Sequence, residues 1–169
     1  MFFFLIGLMG SGKTYWGNIL SKKKKLVFFD IDKLVEEDLK MSIADIFLNY
    51  GEDFFRRKET QILNNIISKT ENAIIATGGG TPCFCNNIEL MNQTGITIFL
   101  NESVSVISNR VTQTKEARPL IANLKDSEIN IALENLLLKR LPTYSQCKYQ
   151  LNIGDITEYN LLKIINQYA

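Results

Sequence analysis

The chain has 169 residues, 46% of them hydrophobic and 22% charged, and its formal net charge is +1. This length and composition are typical of one globular domain that buries roughly two-thirds of its unfolded surface, and the near-zero charge gives no bulk signal for nucleic acid. Histidine is absent, which excludes Ser-His-Asp and Cys-His catalysis and histidine-based zinc sites.

The first predicted element is the apolar run at the N-terminus, MFFFLIGLMG. A membrane span needs about 20 apolar residues, and a signal peptide needs a basic segment before its apolar run. We therefore expect a buried strand here, with no membrane partner. The three cysteines form no CxxC pair, which favours idle thiols in a reducing cytoplasm over a metal or redox role.

Short apolar runs alternate with longer amphipathic stretches, which predicts an α/β domain built on a parallel sheet. The five predicted strands read as continuous apolar runs, as in strands covered on both faces: Phe2–Ile6, Leu26–Asp30, Ala73–Ala76, Gly95–Leu100 and Tyr149–Ile153. The predicted helices are Lys13–Ser21, Ile31–Lys40, Ile43–Asn49, Phe54–Ser68, Asn87–Asn92, Ser103–Val111, Ser127–Lys139 and Glu158–Gln167. Residues 112–126 are polar and aperiodic, which predicts a surface loop or a functional lid.

The segment after the first strand fits the P-loop pattern G-x-x-x-x-G-K-[ST], from Gly7 to Thr14. Glycines let backbone N–H groups turn inward around a phosphate, and the following helix directs its positive end there. In such a loop the lysine, here Lys13, reaches the β- and γ-phosphate oxygens, and the threonine hydroxyl is placed to bind Mg²⁺. No NKxD guanine signature is present, so a GTPase is not favoured.

Two carboxylates, Asp30 and Asp32, follow the second predicted strand. Ligands of open α/β sheets bind beyond the carboxyl ends of the strands, so both carboxylates should open toward the phosphates. Asp30 is expected to hold a water of the magnesium shell, and Asp32 to accept the proton of an acceptor hydroxyl or to orient that hydroxyl. One of the two could instead cap the next helix, a position that suits aspartate.

Three consecutive glycines, residues 78–80, follow the third predicted strand. They let a ligand approach the backbone closely, or they form a flexible turn. The chain has 14 lysines but five arginines. So strong a bias suggests that arginine is kept where a planar, bidentate donor to carboxylate or phosphate is needed: Arg56, Arg57, Arg110, Arg118 and Arg140.

Six segments, in this order, resemble the shikimate kinase family: GLMGSGKT, FFDID, SIADIFLNYGEDFFRRKE, ATGGGTP, EARPL and KRLPTY. Many families share a P-loop, but DID followed by GE-x-x-FR-x-x-E, GGG and RPL is far more restrictive. The resemblance implies a three-layer P-loop fold with a five-stranded parallel sheet in the order 2-3-1-4-5, helices on both faces and a mobile lid at about 112–126. It also implies phosphorylation of the shikimate 3-hydroxyl with ATP and Mg²⁺ on the way to aromatic amino acids. From the length we expect a single domain over 1–169, from the N-terminal segment a cytoplasmic location, and, as the default without a signal for oligomerisation, a monomer.

On the nucleotide side, the resemblance implies phosphate binding by five P-loop residues: Gly10, Ser11, Gly12, Lys13 and Thr14. Thr14 and Asp30 would lie next to the magnesium ion. Arg118, in the lid, would meet the transferred phosphate when the lid closes, and Arg110 would lie beside the adenine. The implied catalytic residues are Lys13, Asp32 and Arg118.

On the acceptor side, the resemblance implies that Arg56 and Arg140 bind the shikimate carboxylate and that Glu59 orients Arg56. Asp32 would bind the acceptor hydroxyls and is the candidate base. The backbone of the three glycines completes this site: Gly78, Gly79 and Gly80. Phe47 and Phe55 would form apolar walls, although core packing explains these two rings almost as well.

Two alternatives remain open at this stage. One is a kinase for another small hydroxyl compound, such as gluconate or a nucleoside monophosphate, in which paired arginines at 56 and 140 beside Asp32 are not expected. The other is a nucleotide-binding regulator that has lost catalysis, although such proteins usually lose the P-loop lysine or an acceptor residue. Substrate preference tests the first alternative, and measurable turnover tests the second.

Overall fold

One parallel sheet of five strands, in the order β2-β3-β1-β4-β5, forms the centre of the protein. The structure is a computed structural model that describes residues 1–114 and 118–168. The strand order implied by the resemblance is confirmed, and each strand lies within two residues of its predicted bounds. The strands are β1 Phe2–Ile6, β2 Val27–Asp30, β3 Ala73–Ala76, β4 Gly95–Leu100 and β5 Tyr149–Leu151.

Burial explains why the central strands are continuously apolar. Every residue of β1, β3 and β4 is buried, so no position on these strands faces water. The expectation that all five strands are covered on both faces is wrong for β2 and β5, whose residues are exposed or half-buried. These two strands lie at the edges of the sheet, where each has a neighbouring strand on one side only.

Helices accompany the strands over α1 Lys13–Lys24, α2 Ile31–Leu39, α3 Ile43–Lys69, α4 Asn87–Thr94, α5 Val104–Thr112, α6 Asp126–Tyr144 and α7 Glu158–Ile165. A 3-10 turn covers Thr81–Cys83. Within residues 1–114 and 118–168, no helix is both long enough and apolar enough to cross a membrane. Of the predicted lid at 112–126, residues 115–117 lie outside the described residues, and 119–123 form turns that lead toward α6.

The helices cover both faces of the sheet. Successive side chains of a strand point to opposite faces, and alternate residues of β1 belong to two different hydrophobic clusters. Phe2, Phe4 and Ile6 pack in the larger cluster with residues of α2 to α6. Phe3 and Leu5 pack in the second cluster with residues of α1 and α7. The predicted three-layer architecture is therefore confirmed.

Helix α3 joins two segments that the sequence predicts as separate helices, Ile43–Asn49 and Phe54–Ser68. The helix continues through the intervening residues and is interrupted at Gly51, where φ is 78° and ψ is 171°. Glycine adopts a positive φ without the clash that a Cβ would cause. The sequence correctly indicated a break here, but the chain bends at one residue instead of forming a loop.

Helix α6 is longer than its predicted range of Ser127–Lys139 and continues to Tyr144, past Pro142. Proline lacks an N–H and usually ends a helix. Here it lies in the last turn, and the extension places Arg140 and Tyr144 on the same helix, one turn apart.

The carboxyl ends of four strands bring the P-loop, the two aspartates, the three glycines and Glu102, which the sequence analysis did not single out, to one edge of the sheet. β1 leads into the P-loop, β2 ends at Asp30, β3 leads into the three glycines, and β4 leads toward Glu102. In a parallel sheet these ends lie side by side. The fold thus assembles a site from segments that are far apart in the chain.

A substitution at Gly17 would measure how tightly α1 packs against the sheet. A Cβ at Gly17 would lie 2.2 Å from Cε2 of Phe28 on β2, so the ring would have to move. We expect Gly17→Ala to lower the free energy of unfolding by about 1–3 kcal/mol, the usual cost of overpacking, even though alanine favours a helix over glycine. Urea denaturation measures the change.

The matched control is Asn18→Ala, one residue further along α1 at an exposed position. This substitution should change the free energy of unfolding by no more than about 0.5 kcal/mol. A Gly17→Ala protein as stable as the unmodified chain would show that the contact between α1 and Phe28 is not close.

Candidate active site

The P-loop wraps from the end of β1 to the start of α1, and its three glycines, Gly7, Gly10 and Gly12, all have positive φ angles. Gly10 has φ 76° and Gly12 has φ 96°, values that residues with a Cβ rarely adopt. Gly12 is the N-cap of α1 and offers no side chain to the first turn. The backbone N–H groups at the helix start are thus left available to an anion.

Lys13 is buried and folds back over this loop. Its Nζ donates hydrogen bonds to the carbonyl oxygens of Gly7 (2.9 Å) and Leu8 (2.7 Å). Burial lowers the pKa of Lys13 to about 8, although the negative charges of Asp32 and Asp30 oppose this change. Close by, Ser11 is also buried, and its Oγ has no hydrogen-bond partner among the described residues.

Asp30 contacts both the P-loop helix and the helix that follows β2. Thr14 Oγ1 donates to Asp30 Oδ2 at 2.6 Å, and the other carboxylate oxygen accepts from the backbone N–H of Lys33 at 3.4 Å. Asp30 is therefore the N-cap of α2. The sequence left open which aspartate caps this helix, and Asp30 does so while it also holds the threonine of the P-loop.

Two cavities open at this edge of the sheet. The larger has a volume of about 640 Å³ and is lined by P-loop residues, Asp30, Arg110 and the aromatic pair Tyr15 and Trp16. The smaller has a volume of about 80 Å³. It is lined by residues of α3, of the loop of three glycines at 78–80 (the glycine loop), of α6 and of the segment after residue 117. Four residues line both cavities, so the two spaces adjoin: Met9, Asp32, Gly79 and Arg118.

Asp32, the second residue of α2, lies where the two cavities adjoin. Burial, together with the nearby negative charges of Glu59 and Asp30, raises the pKa of Asp32 to about 7, while Lys13 and Arg56 oppose the rise. The carboxyl group can therefore exchange a proton near neutral pH, which is unusual for aspartate.

Arg56 lies in the wall of the smaller cavity and is held by two carboxylates. Its Nη1 donates to Glu59 Oε2 at 2.7 Å, while Nε and Nη2 donate to Glu52 Oε1 at 3.0 and 2.7 Å. A guanidinium group has five N–H donors. With respect to the described residues, these bonds leave one N–H on each terminal nitrogen of Arg56 for a ligand.

Aromatic rings surround the Arg56 guanidinium group. Its carbon lies 5.8 Å from the ring centre of Phe47, 5.1 Å from that of Phe55 and 4.8 Å from that of Phe84. Gly80 approaches so closely that a Cβ there would lie 2.4 Å from Arg56 Cζ. The rings and the glycine restrict the side chain to one position, and cation–π attraction adds to this.

Glu59 is fully buried and joins α3 to the glycine loop. It accepts hydrogen bonds from Arg56 and from the hydroxyl of Thr81. A Cβ at Gly78 would lie 2.2 Å from Glu59 Oε1 and 2.6 Å from Asp32 Oδ1. Gly78, which was expected to bind the acceptor, lines neither cavity, but its lack of a side chain lets the carboxylates of Glu59 and Asp32 approach the backbone.

Arg140 faces the smaller cavity from α6. It is buried, and its Nη1 has no hydrogen-bond partner among the described residues. One turn later on the same helix, the hydroxyl of Tyr144 donates to the carbonyl oxygen of Gly79. A buried donor without a partner is costly, so Arg140 is placed for a ligand that accepts its hydrogen bond.

Two further arginines line the larger cavity, whereas Arg57 is exposed on α3. Arg110, on α5, donates from Nη1 to Gly10 O at 2.9 Å and from Nη2 to Glu102 Oε2 at 3.3 Å, and it lines the larger cavity. Arg118 lines both cavities, and its Nε donates to Thr114 Oγ1 at 3.3 Å.

Several contributing residues were missed from sequence: Glu52, Thr81, Phe84 and Tyr144. Glu52 was detectable, because it lies four residues before Arg56 on a helix, a spacing that favours an ion pair. The other three make contacts across the fold. Nothing in their local sequence indicates which partner they meet.

Comparisons with known proteins agree with one another. The sequence profile of the shikimate kinase family matches residues 9–167. A shikimate kinase of Azobacteroides pseudotrichonymphae is 43% identical over 166 residues, which cover 95% of this chain and 98% of that protein. A crystal structure of a Bacteroides thetaiotaomicron shikimate kinase has a TM-score of 0.84 at 33% identity and covers 99% of this chain and 95% of that one. A shikimate kinase of Acinetobacter baumannii, in complex with shikimate, has a TM-score of 0.87 at 31% identity and covers 98% and 90% of the two chains.

We expect the Asp32 carboxyl group of the ligand-free protein to titrate near pH 7. Glu59→Gln should lower this pKa because it removes a nearby negative charge, and Lys13→Met should raise it further because it removes a positive one. Carbon-13 NMR of labelled aspartate side chains measures the three values, with Asp32→Asn used to assign the signal. A titration near pH 4 in the unmodified protein would contradict the described electrostatics.

Proposed function

Because this chain belongs to the shikimate kinase family, we propose that it transfers the γ-phosphoryl group of ATP to the 3-hydroxyl of shikimate, a step toward aromatic amino acids. The observation that carries the proposal is the meeting of two cavities at Asp32. One is built on a P-loop, and the other presents the unpaired Nη1 of Arg140 and the two N–H groups of Arg56 that Glu52 and Glu59 leave free. Neither gluconate phosphorylation nor a silent nucleotide-binding role is favoured by the relatives, which are named shikimate kinases.

The larger cavity binds ATP in this proposal. The free N–H groups at the start of α1 surround the phosphates, and the buried Oγ of Ser11 gains a partner. Lys13 exchanges its two carbonyl acceptors for phosphate oxygens, and its positive charge is then matched by theirs. Arg110, on the wall of this cavity, lies beside the adenine.

The oxygen atoms around Thr14 fit a magnesium ion. Mg²⁺ usually takes one or two protein oxygens and completes its shell with water and substrate phosphates. Thr14 Oγ1 and Asp30 Oδ2 lie 2.6 Å apart in the larger cavity, and no group of three or more acidic, cysteine or histidine ligands occurs among the described residues. Thr14 would hold the ion, with Asp30 next to it, and bound Mg²⁺ neutralises charge on the phosphates.

The smaller cavity binds shikimate. Arg56 and Arg140 direct their unpaired N–H groups to the carboxylate, a partner that suits the planar guanidinium group. The backbone of Gly79 and Gly80 comes close to the substrate, and Phe47 and Phe55 form the apolar walls. These contacts direct the hydroxyl groups toward Asp32 at the junction.

Asp32 binds the acceptor hydroxyl and takes up its proton. A base is most effective when its pKa lies near the working pH, and the pKa of Asp32 is raised to about 7. Phosphoryl transfer depends mainly on positioning and charge stabilisation, so the absence of histidine is no obstacle. Arg118, which lines both cavities, stabilises the charge that develops on the transferred group.

We also propose the domain organisation, the lid and the cellular location of the enzyme. Residues 1–169 act as a single domain, and residues 112–126 act as a lid whose closure excludes water. Support comes from Arg118, which lies in this segment and faces both cavities. The enzyme works as a cytoplasmic monomer on small molecules, with neither nucleic acid nor membrane as a partner. The cytoplasm supplies the ATP that the proposed reaction consumes.

ADP release by the purified protein with MgATP tests the proposed reaction. Shikimate should stimulate release strongly, whereas gluconate and AMP should leave it near the background rate. Stimulation by another acceptor would keep the nucleotide site and reassign the acceptor site. No stimulation by any of the three would overturn the proposal.

The two acceptor arginines should affect one substrate selectively. We expect Arg140→Ala and Arg56→Lys to raise the KM for shikimate about 10- to 100-fold with little change in the KM for ATP. Arg140→Ala removes a charge-assisted hydrogen bond to the carboxylate, which is worth about 1.5–3 kcal/mol of binding free energy. Arg56→Lys keeps the positive charge but loses the planar group that can bind a carboxylate through two N–H donors. Steady-state kinetics with each substrate varied in turn measures both constants.

Arg57→Ala is the matched control, because Arg57 is exposed and lies next to Arg56 on α3. Its kinetic constants should equal those of the unmodified protein. Equal increases in both KM values for the Arg56 and Arg140 variants would rule out the assignment of these residues to the acceptor carboxylate.

Arg118 is expected to act on the transition state. Arg118→Ala should lower kcat about 100-fold with a much smaller change in either KM, because the arginine meets charge that develops during transfer. Asn123→Ala, an exposed position in the same segment, serves as the control. An unchanged kcat with weak shikimate affinity would assign Arg118 to ground-state binding instead.

A further inference from the structure

Trp16, the chain's single tryptophan, lines the larger cavity. It lies three residues after Lys13 in the first turn of α1 and is half-buried. Neither the P-loop pattern nor the acceptor motifs assign a role to this position. An apolar side chain would be enough to cover the sheet here, so the indole group needs its own explanation.

The indole ring is held in place from two sides. It packs against the second hydrophobic cluster, which covers the face of the sheet under α1 and α7. Tyr15 meets it edge-on, with ring centres 5.1 Å apart and an angle of 77° between the planes. Tyr15 is itself 64% exposed, so this second contact lies at the protein surface.

The polar edge of the ring points to the P-loop. A Cβ placed on Gly12 would lie 3.3 Å from Cδ1 and 3.6 Å from Nε1 of Trp16. These two atoms belong to the pyrrole edge, which carries the indole N–H, and no residue described by the structure accepts a hydrogen bond from that N–H. Indole can donate but not accept, so this N–H is open to an acceptor that enters the larger cavity.

We propose that Trp16 is a nucleotide-binding residue whose indole N–H donates a hydrogen bond to an α-phosphate oxygen. Lys13 reaches the β- and γ-phosphates, and the loop backbone surrounds the α- and β-phosphates. The indole N–H beside Gly12 adds a side-chain donor at the start of α1, next to the loop that surrounds these groups. The bond is charge-assisted because the acceptor is anionic. This inference rests on the proposed function only in requiring that the larger cavity binds the nucleotide.

The test compares Trp16→Phe, which keeps an aromatic ring and removes the N–H, with the unmodified protein. Isothermal titration calorimetry with MgADP should show about 10-fold weaker binding by the variant, the effect of one hydrogen bond to a charged group. Adenosine, which has no phosphate, should bind both proteins equally in competition with MgADP. Tyr159→Phe, at a 74% exposed position on α7, should bind MgADP like the unmodified protein.

Tryptophan fluorescence gives a second readout, since every tryptophan signal of this chain arises from Trp16. MgADP should change the emission of the unmodified protein with the Kd that calorimetry measures. Thermal unfolding of Trp16→Phe near the normal temperature would show that packing is retained.

Equal MgADP affinity of the Trp16→Phe and unmodified proteins would overturn the proposal, as would an equal loss of affinity for MgADP and adenosine. These outcomes differ from a failure of the proposed function. That failure would be normal MgADP binding without any shikimate-stimulated ADP release.

Discussion

The wall of the smaller cavity, the proposed acceptor site, depends on an ion pair inside the protein between Arg56 and Glu59. Burial of two charges costs more than their attraction returns unless further hydrogen bonds satisfy both partners. Here Glu52 satisfies the other side of the guanidinium group, and the Thr81 hydroxyl satisfies the second oxygen of Glu59. The arrangement fixes helix α3 relative to the glycine loop, so that Arg56 is already oriented before a substrate binds.

The packing of buried charged side chains also explains why residues 78–80 are glycines. The sequence suggests that residues 78–80 lack side chains so that a ligand can approach, but the structure shows that protein groups occupy much of that space. A Cβ at Gly78 would meet Glu59 and Asp32, and one at Gly80 would meet the Arg56 guanidinium group. None of the three glycines has a positive φ. Close packing of charged side chains, not backbone conformation, therefore requires glycine here.

Much of this architecture could be predicted because its signals are local. Continuous apolar runs gave the strands, and the P-loop pattern gave the turn between β1 and α1. The resemblance supplied the strand order, which the residues alone did not. The aromatic contact of Phe84 with Arg56 and the hydrogen bond from Tyr144 to Gly79 join residues distant in the chain. Local sequence carries little information about such contacts.

In the proposed complex, the guanidinium groups of Arg56 and Arg140 receive the carboxylate of the acceptor. Calorimetric titration of the unmodified protein with shikimate, and with the carboxamide that replaces only its carboxylate, tests this contact. The two compounds have nearly the same size, but only shikimate is an anion. We predict at least 10-fold weaker binding of the carboxamide, the loss expected for one or more charge-assisted hydrogen bonds. Equal affinities would show that Arg56 and Arg140 do not recognise the carboxylate.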